Sequence, residues 1–149
     1  MKKYIGTKVV KAEPMTRGEY NNYRGWIIPE DENPADEGYL VKYPDNYESW
    51  SPKAVFESAY HCFDDGMSFG SAIKLLKMGF KLKRKGWNGK GMFLLYVPAN
   101  KWGIIDKIGL NIPKENLCDW IGMKTADNHF IPWLASQADM LAEDWIVVK

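Results

Sequence analysis

The chain has 149 residues, room for one ordinary domain or two small ones. With 46% apolar and 26% charged residues it has the balance of a soluble folded protein, which argues against a disordered chain. A net charge of +1 argues against a protein that coats DNA or RNA, because such domains carry a strong basic excess. The aromatic load is heavy: seven Trp, eight Tyr and six Phe must pack in cores or line interfaces and pockets.

Residues 1–60 read as a small β-rich module. Thr7 to Ala12 is a short candidate strand, and Pro14, Gly18, Asn21-Asn22 and Gly25-Trp26 mark an irregular stretch after it. Pro29 to Gly38 is an acidic, proline-punctuated loop. Tyr39-Leu40-Val41-Lys42-Tyr43 turns at Pro44-Asp45-Asn46 into Tyr47-Glu48-Ser49-Trp50, a hairpin pattern. Ser51-Pro52 then offers a cap and a first-turn proline for a helix running to about Tyr60.

Residues 61–149 begin with a junction at His61 to Gly66. Ser68 can cap a helix whose stripe is Phe69, Ala72, Ile73 and Leu76, closed by Gly79. Phe80, Leu82 and Arg84 alternate with Lys81, Lys83 and Lys85, which predicts an edge-like strand. Met92 to Val97 is apolar on both faces and predicts a central strand. An insertion at about 98–118 is broken by Pro98, Gly103, Gly109 and Pro113, with Ile104-Ile105 and Ile108 packing on the sheet. Asp119–Thr125 and Phe130–Trp133 predict a hairpin turning at Asp127-Asn128. Ser136-Gln137-Ala138-Asp139 has the spacing of a capping box, opening a short helix to Glu143 before a strand over Trp145 to Val148. The fold class is α+β: a small β-rich module, then a mostly antiparallel sheet with one main helix and a short C-terminal helix.

Between the strands of this second part stands Gly86-Trp87-Asn88-Gly89-Lys90-Gly91-Met92. Three glycines let the backbone approach a bound group, the indole offers a stacking face, and the Asn88 amide both donates and accepts. With the cations before it, the loop suits a nucleotide-like ligand. The plain alternative is a hairpin turn whose Trp plugs the core. Charge divides accordingly: eight Lys and Arg against ten Asp and Glu in residues 1–60, twelve against nine beyond. A solvated surface explains that asymmetry about as well as an anionic ligand does.

Enzyme signatures are missing. His61 and His129 stand near no nucleophile elbow, and no His, Cys and carboxylate cluster has metal-ligand spacing. No phosphate-loop or dinucleotide fingerprint occurs, so no cofactor is expected. Asp139, Glu143 and Asp144 suggest paired carboxylates, but Asp139 has a capping job. Cys62 and Cys118 lack a Cys-x-x-Cys partner, which favours a reduced compartment. No apolar h-region and no run of ~20 apolar residues is present, so neither a signal peptide nor a membrane span is expected. What remains is binding chemistry: Trp87 and Asn88 in the loop, Thr125 and Trp133 in the hairpin, and Ser136 and Gln137 at a helix start where free amides could face an anion. Trp133 as a core indole and Ser136 as a plain N-cap are the alternatives.

Four motifs, in order, carry a resemblance: Met67-Ser68-Phe69-Gly70 through Leu76, Arg84 through Met92, Met123 through Asp127, and Pro132 through Trp145. Over residues 64–149 the sequence resembles the second Thoeris anti-defence family of phages and prophages. The resemblance implies a non-enzymatic sponge in the host cytoplasm that holds glycocyclic ADP-ribose signals from bacterial TIR-domain proteins, some members also holding cyclic dinucleotides. It implies homotetramers with pockets where protomers meet. Carried onto this sequence, the ligand-binding residues are Trp87, Asn88, Thr125, Trp133, Ser136, Gln137 and Asp139. The insertion and the 1–60 module depart from the family pattern. A phage structural or interaction module, and an enzyme that cleaves the signal, are the competing readings.

Overall fold

The computed structural model describes residues 1–3, 5–101, 112–113 and 116–149. Internal contacts divide the chain into two compact units, Met1–His61 and Cys62–Lys149. The described elements are helices and antiparallel sheets, an α+β architecture.

In the first unit, strands β1 (Lys11–Pro14), β2 (Gly38–Lys42) and β3 (Glu48–Pro52) form an antiparallel sheet in sequence order. The β2–β3 hairpin turns at the predicted residues, with Asn46 taking the left-handed conformation that Asn tolerates. Two expectations are corrected. The strand lies later than Thr7–Ala12, and the stretch after it contains helix α1 (Arg17–Arg24). That helix has low intrinsic propensity, with Gly18 and two asparagines. It is held instead by the Thr16–Glu19 capping box and by tertiary contacts. Arg17 grips Glu32 through two bonds of 2.6 and 2.7 Å, and buried Asn21 donates to the same carboxylate. Helix α2 (Lys53–Ala59) starts one residue later than expected, because Ser51 and Pro52 finish β3 and no side chain caps the helix.

In the second unit a five-stranded sheet has the order β7-β6-β5-β4-β8, all antiparallel. Its strands are β4 (Leu82–Arg84), β5 (Phe93–Val97), β6 (Trp120–Lys124), β7 (Phe130–Pro132) and β8 (Trp145–Val147). Helix α3 (Phe69–Lys77) is capped by Ser68 and buries Ala72, Leu75 and Leu76 among Met67, Leu82, Leu94 and Trp145. Each large apolar side chain so removed from water contributes about 1.5–3 kcal/mol. Strand β5 is central, as predicted, although only Leu94 is fully buried there. The edge role expected of β4 is corrected: β8 pairs along its outer side, Lys83 opposite Ile146 and Arg84 opposite Trp145. Most of the insertion expected at 98–118 lies outside the described residues, and a 3-10 turn (Ala99–Lys101) opens it.

Candidate functional site

The Gly-rich loop leaves β4 at Arg84 and enters β5 at Phe93. Gly91 adopts φ 70°, the left-handed region that disfavours a side chain. A Cβ at Gly89 would fall 2.0 Å from the Met92 sulfur and 3.2 Å from Ala126, so the loop lies against the β6–β7 turn. Lys124 Nζ fastens this contact, donating to the Gly91 carbonyl at 3.3 Å and the Thr125 carbonyl at 3.4 Å. Asn88 is exposed, and its side chain takes no partner among the described residues.

Trp87 is half-buried in a nest of rings. Its centroid lies 5.6 Å from that of Trp145 and 6.4 Å from that of Trp133, both edge-to-face. Trp133 and Trp145 meet at 6.0 Å and 80°, and Phe69 packs on both. Such edge-to-face pairs add about 0.5–1.5 kcal/mol each beyond area burial and fix ring orientation. Trp145 is wholly buried, and its indole N–H donates to the Asp139 carbonyl at 3.0 Å. The cluster therefore joins the Trp87 loop to helix α4 (Gln137–Met140) through one buried ring.

Helix α4 is one turn, shorter than the run to Glu143 that the sequence suggests. A single turn sums few peptide dipoles, so its start offers individual N–H groups rather than the field of a long helix. The capping box is complete: Ser136 Oγ accepts from Asp139 N–H, and Asp139 Oδ2 accepts from Ser136 N–H and Oγ–H. Gln137 is exposed with no side-chain partner among the described residues. Thr125 has a turn to hold, its hydroxyl accepting from His129 N–H at 2.9 Å and bonding Asp127.

Sequence reasoning missed what binds these parts together. Arg84 Nε donates to Asp144 Oδ1 at 2.8 Å, and an Arg84 Nη donates to Asp139 Oδ1 at 3.1 Å. Asp144 gives its other oxygen to Gly86 N–H at 3.1 Å, as Asp139 gives its other oxygen to Ser136. Asp144 and then Asp139 raise the guanidinium pKa above its ordinary value. Arg84 in turn holds the Asp144 carboxyl below its ordinary range. Burial alone would raise that of Asp139, but its bonds to Ser136 and Arg84 outweigh it and the net shift is downward. All three are charged at neutral pH. The arginine in Arg84-Lys85-Gly86-Trp87 and the acid in Glu143-Asp144-Trp145 were visible as motif residues, but their pairing across 60 positions was not.

Six of the seven predicted site residues thus fall on two neighbouring surfaces, the loop (Trp87, Asn88) and the α4 start (Ser136, Gln137, Asp139), with Trp133 between them. Asn88 stands exposed on the loop, and Thr125 lies at its far side, next to Ala126 and Lys124. Among the described residues no group of three His, Cys, Asp or Glu could hold a metal ion, and no helix is long and apolar enough to cross a membrane.

A curated protein of Bacillus phage SP01, "Thoeris anti-defense 2", is 42% identical over 85 residues, covering 56% of this chain and 96% of that protein. Residues 67–148 match the family described as Tad2-like, the Thoeris anti-defense 2-like domain. That span takes in α3, the Gly-rich loop, the Trp cluster and the Arg84 network. The chain therefore belongs to the Thoeris anti-defense 2-like family.

Proposed function

We propose that this is a phage- or prophage-encoded anti-defence protein that works in the bacterial host cytoplasm. It binds and sequesters a glycocyclic ADP-ribose type of signal, or a cyclic dinucleotide, without altering it chemically. Residues 61–149 are the ligand-binding part, and residues 1–60 are an appended module. The observation that carries the reading is Trp87, a half-exposed indole braced edge-on by Trp145 and Trp133, beside an Asn88 amide free to bond. A braced ring loses little entropy when a base stacks on it. Lys124, already against the loop, supplies a cation for a phosphate, and the Gln137 and Ala138 region supplies polar groups.

Magnitudes point to an assembly. Stacking contributes ~1–3 kcal/mol per base. Submicromolar retention needs more than about 8 kcal/mol, so a single ring does not suffice. A homotetramer with each pocket completed by a neighbouring protomer provides the balance. Phe130, Ile131, Leu134, Met140 and Leu141 are exposed apolar residues on the β7–α4 segment, suited to such packing. They also suit an interaction module with no small ligand.

The test is calorimetry with glycocyclic ADP-ribose, followed by heating the loaded protein and identifying what is released. The expected result is tight binding, intact recovery, and loss of binding in Trp87→Ala and Asn88→Ala with the fold unchanged. An altered product identifies an enzyme, and absence of retention identifies an interaction module. Either refutes the proposal, and variants that bind like the parent refute the site.

A further inference from the structure

We propose that Arg84 is the positioning residue of the ligand site, holding the Trp87 loop and the Ser136 turn in register through two divided carboxylates. The inference rests on the binding role proposed above for those two surfaces. The Arg84 side chain bonds neither Trp87 nor Gln137, and it reaches the two surfaces only through carboxylates. It sits on β4, opposite Trp145, and its guanidinium spends one edge on Asp144 and one on Asp139. Each acid turns its second oxygen outward to the site: Asp144 to the first amide of the Gly-rich loop, Asp139 to the Ser136 N–H and hydroxyl. The resulting chain runs Gly86, Asp144, Arg84, Asp139, Ser136. Its ends are the loop that carries Trp87 and the turn that carries Gln137.

Guanidinium geometry explains why arginine stands here. Its donors lie in one rigid plane, so fixing one carboxylate orients the donor for the other. A lysine is a point charge on a flexible stem and leaves the two acids free to drift apart. Arg84 and both acids are part-buried, where an ion pair is screened less than at an open surface. Arg84 with its two acids carries a net negative charge, so an anionic ligand needs a cation from elsewhere, and Lys124 lies against the same loop. Separating the binding groups from the group that aligns them is the usual support that precise sites require.

The test compares the full-length parent with Arg84→Met, Arg84→Lys, Asp144→Asn and Asp139→Asn, by hydrogen exchange resolved along the chain and by calorimetry with glycocyclic ADP-ribose. In Arg84→Met the amides of Gly86–Met92 and Ser136–Met140 should exchange at least tenfold faster together, while those of β5 and β6 keep the parental rate. Ligand affinity should fall at least tenfold. Arg84→Lys should lie between parent and Arg84→Met. Asp144→Asn should loosen the loop most and the Ser136 turn less, and Asp139→Asn the reverse. Uniform acceleration across the sheet would make Arg84 merely structural, and acceleration near the loop without any at Ser136–Met140 would make its effect local. Either overturns the proposal. Should the parent bind no ligand while the paired exchange pattern appears, the binding role falls and the alignment by Arg84 stands.

Discussion

Replacing Trp145 by Phe measures how far the ligand-binding unit depends on one ring. Trp145 is fully buried, touches the rings of Phe69, Trp87 and Trp133, and donates its indole N–H to the Asp139 carbonyl. The smaller ring leaves a void of roughly 40 Å³, which at about 24 cal/mol per Å³ costs about 1 kcal/mol. Losing the hydrogen bond costs about 1 kcal/mol more, since the carbonyl keeps only weaker bonds from the turn that follows. The total of about 2 kcal/mol corresponds to a roughly 30-fold increase in the unfolded population. Native-state hydrogen exchange reads this directly: the slowest amides of β5 and β6 should exchange about 30-fold faster in Trp145→Phe, while β2 and β3 of the first unit hold their rates. Exchange in β5 and β6 that rises less than threefold would show that the cluster does not depend on this ring and that Trp145 is not the support of Trp87.

The first unit yields two further expectations. A Cβ at Gly38 would lie 2.4 Å from the Trp50 ring and 2.5 Å from the Ser51 carbonyl, so Gly38→Ala should destabilise that unit by about 1–3 kcal/mol, measured as a lower urea midpoint for its transition. An unchanged midpoint would contradict the Gly38 to Pro52 register. The Glu32 carboxyl is lowered to about 2, first by the Arg17 hydrogen bond and then by Asn21. Because the folded value lies below the unfolded one, this stabilisation is present above about pH 4.5 and is lost as pH falls towards 2. Glu32→Gln should flatten that part of the acid-unfolding profile, and a profile identical to the parent's would refute the assignment.

The elements legible in the sequence are those whose signals are local. Ser68 and Gly79 bracket α3, the β-propensity run Tyr39 to Tyr43 marks β2, and Ser136 with Asp139 marks the start of α4. Helix α1 escaped because its Gly and Asn content signals a loop, while Arg17, Asn21 and Glu32, which hold it, are brought together only by folding. The β4 position escaped for the same reason: alternating lysines read as an edge, and nothing local says that β8 arrives beside them. Trp87 and Trp133 were identifiable as single residues. Their common support, Trp145, and the Arg84 bridge needed the three-dimensional arrangement, since long-range pairing leaves no periodicity to read.

The pairing of β4 with β8 also sets the order in which the chain closes. In the first unit β2 and β3 close a short hairpin and β1 joins β2 across a connection that carries α1, so its strand pairs lie nearer in sequence than Arg84 and Asp144. In the second, Arg84 meets Asp144 across 60 positions, and closing so wide a loop comes before its reward. Low contact order favours rapid closure of the first sheet, with β8 and the ring cluster among the later events of the second. Gly86 and Ser136 are therefore fastened late, once Asp144 and Asp139 have both reached the one guanidinium.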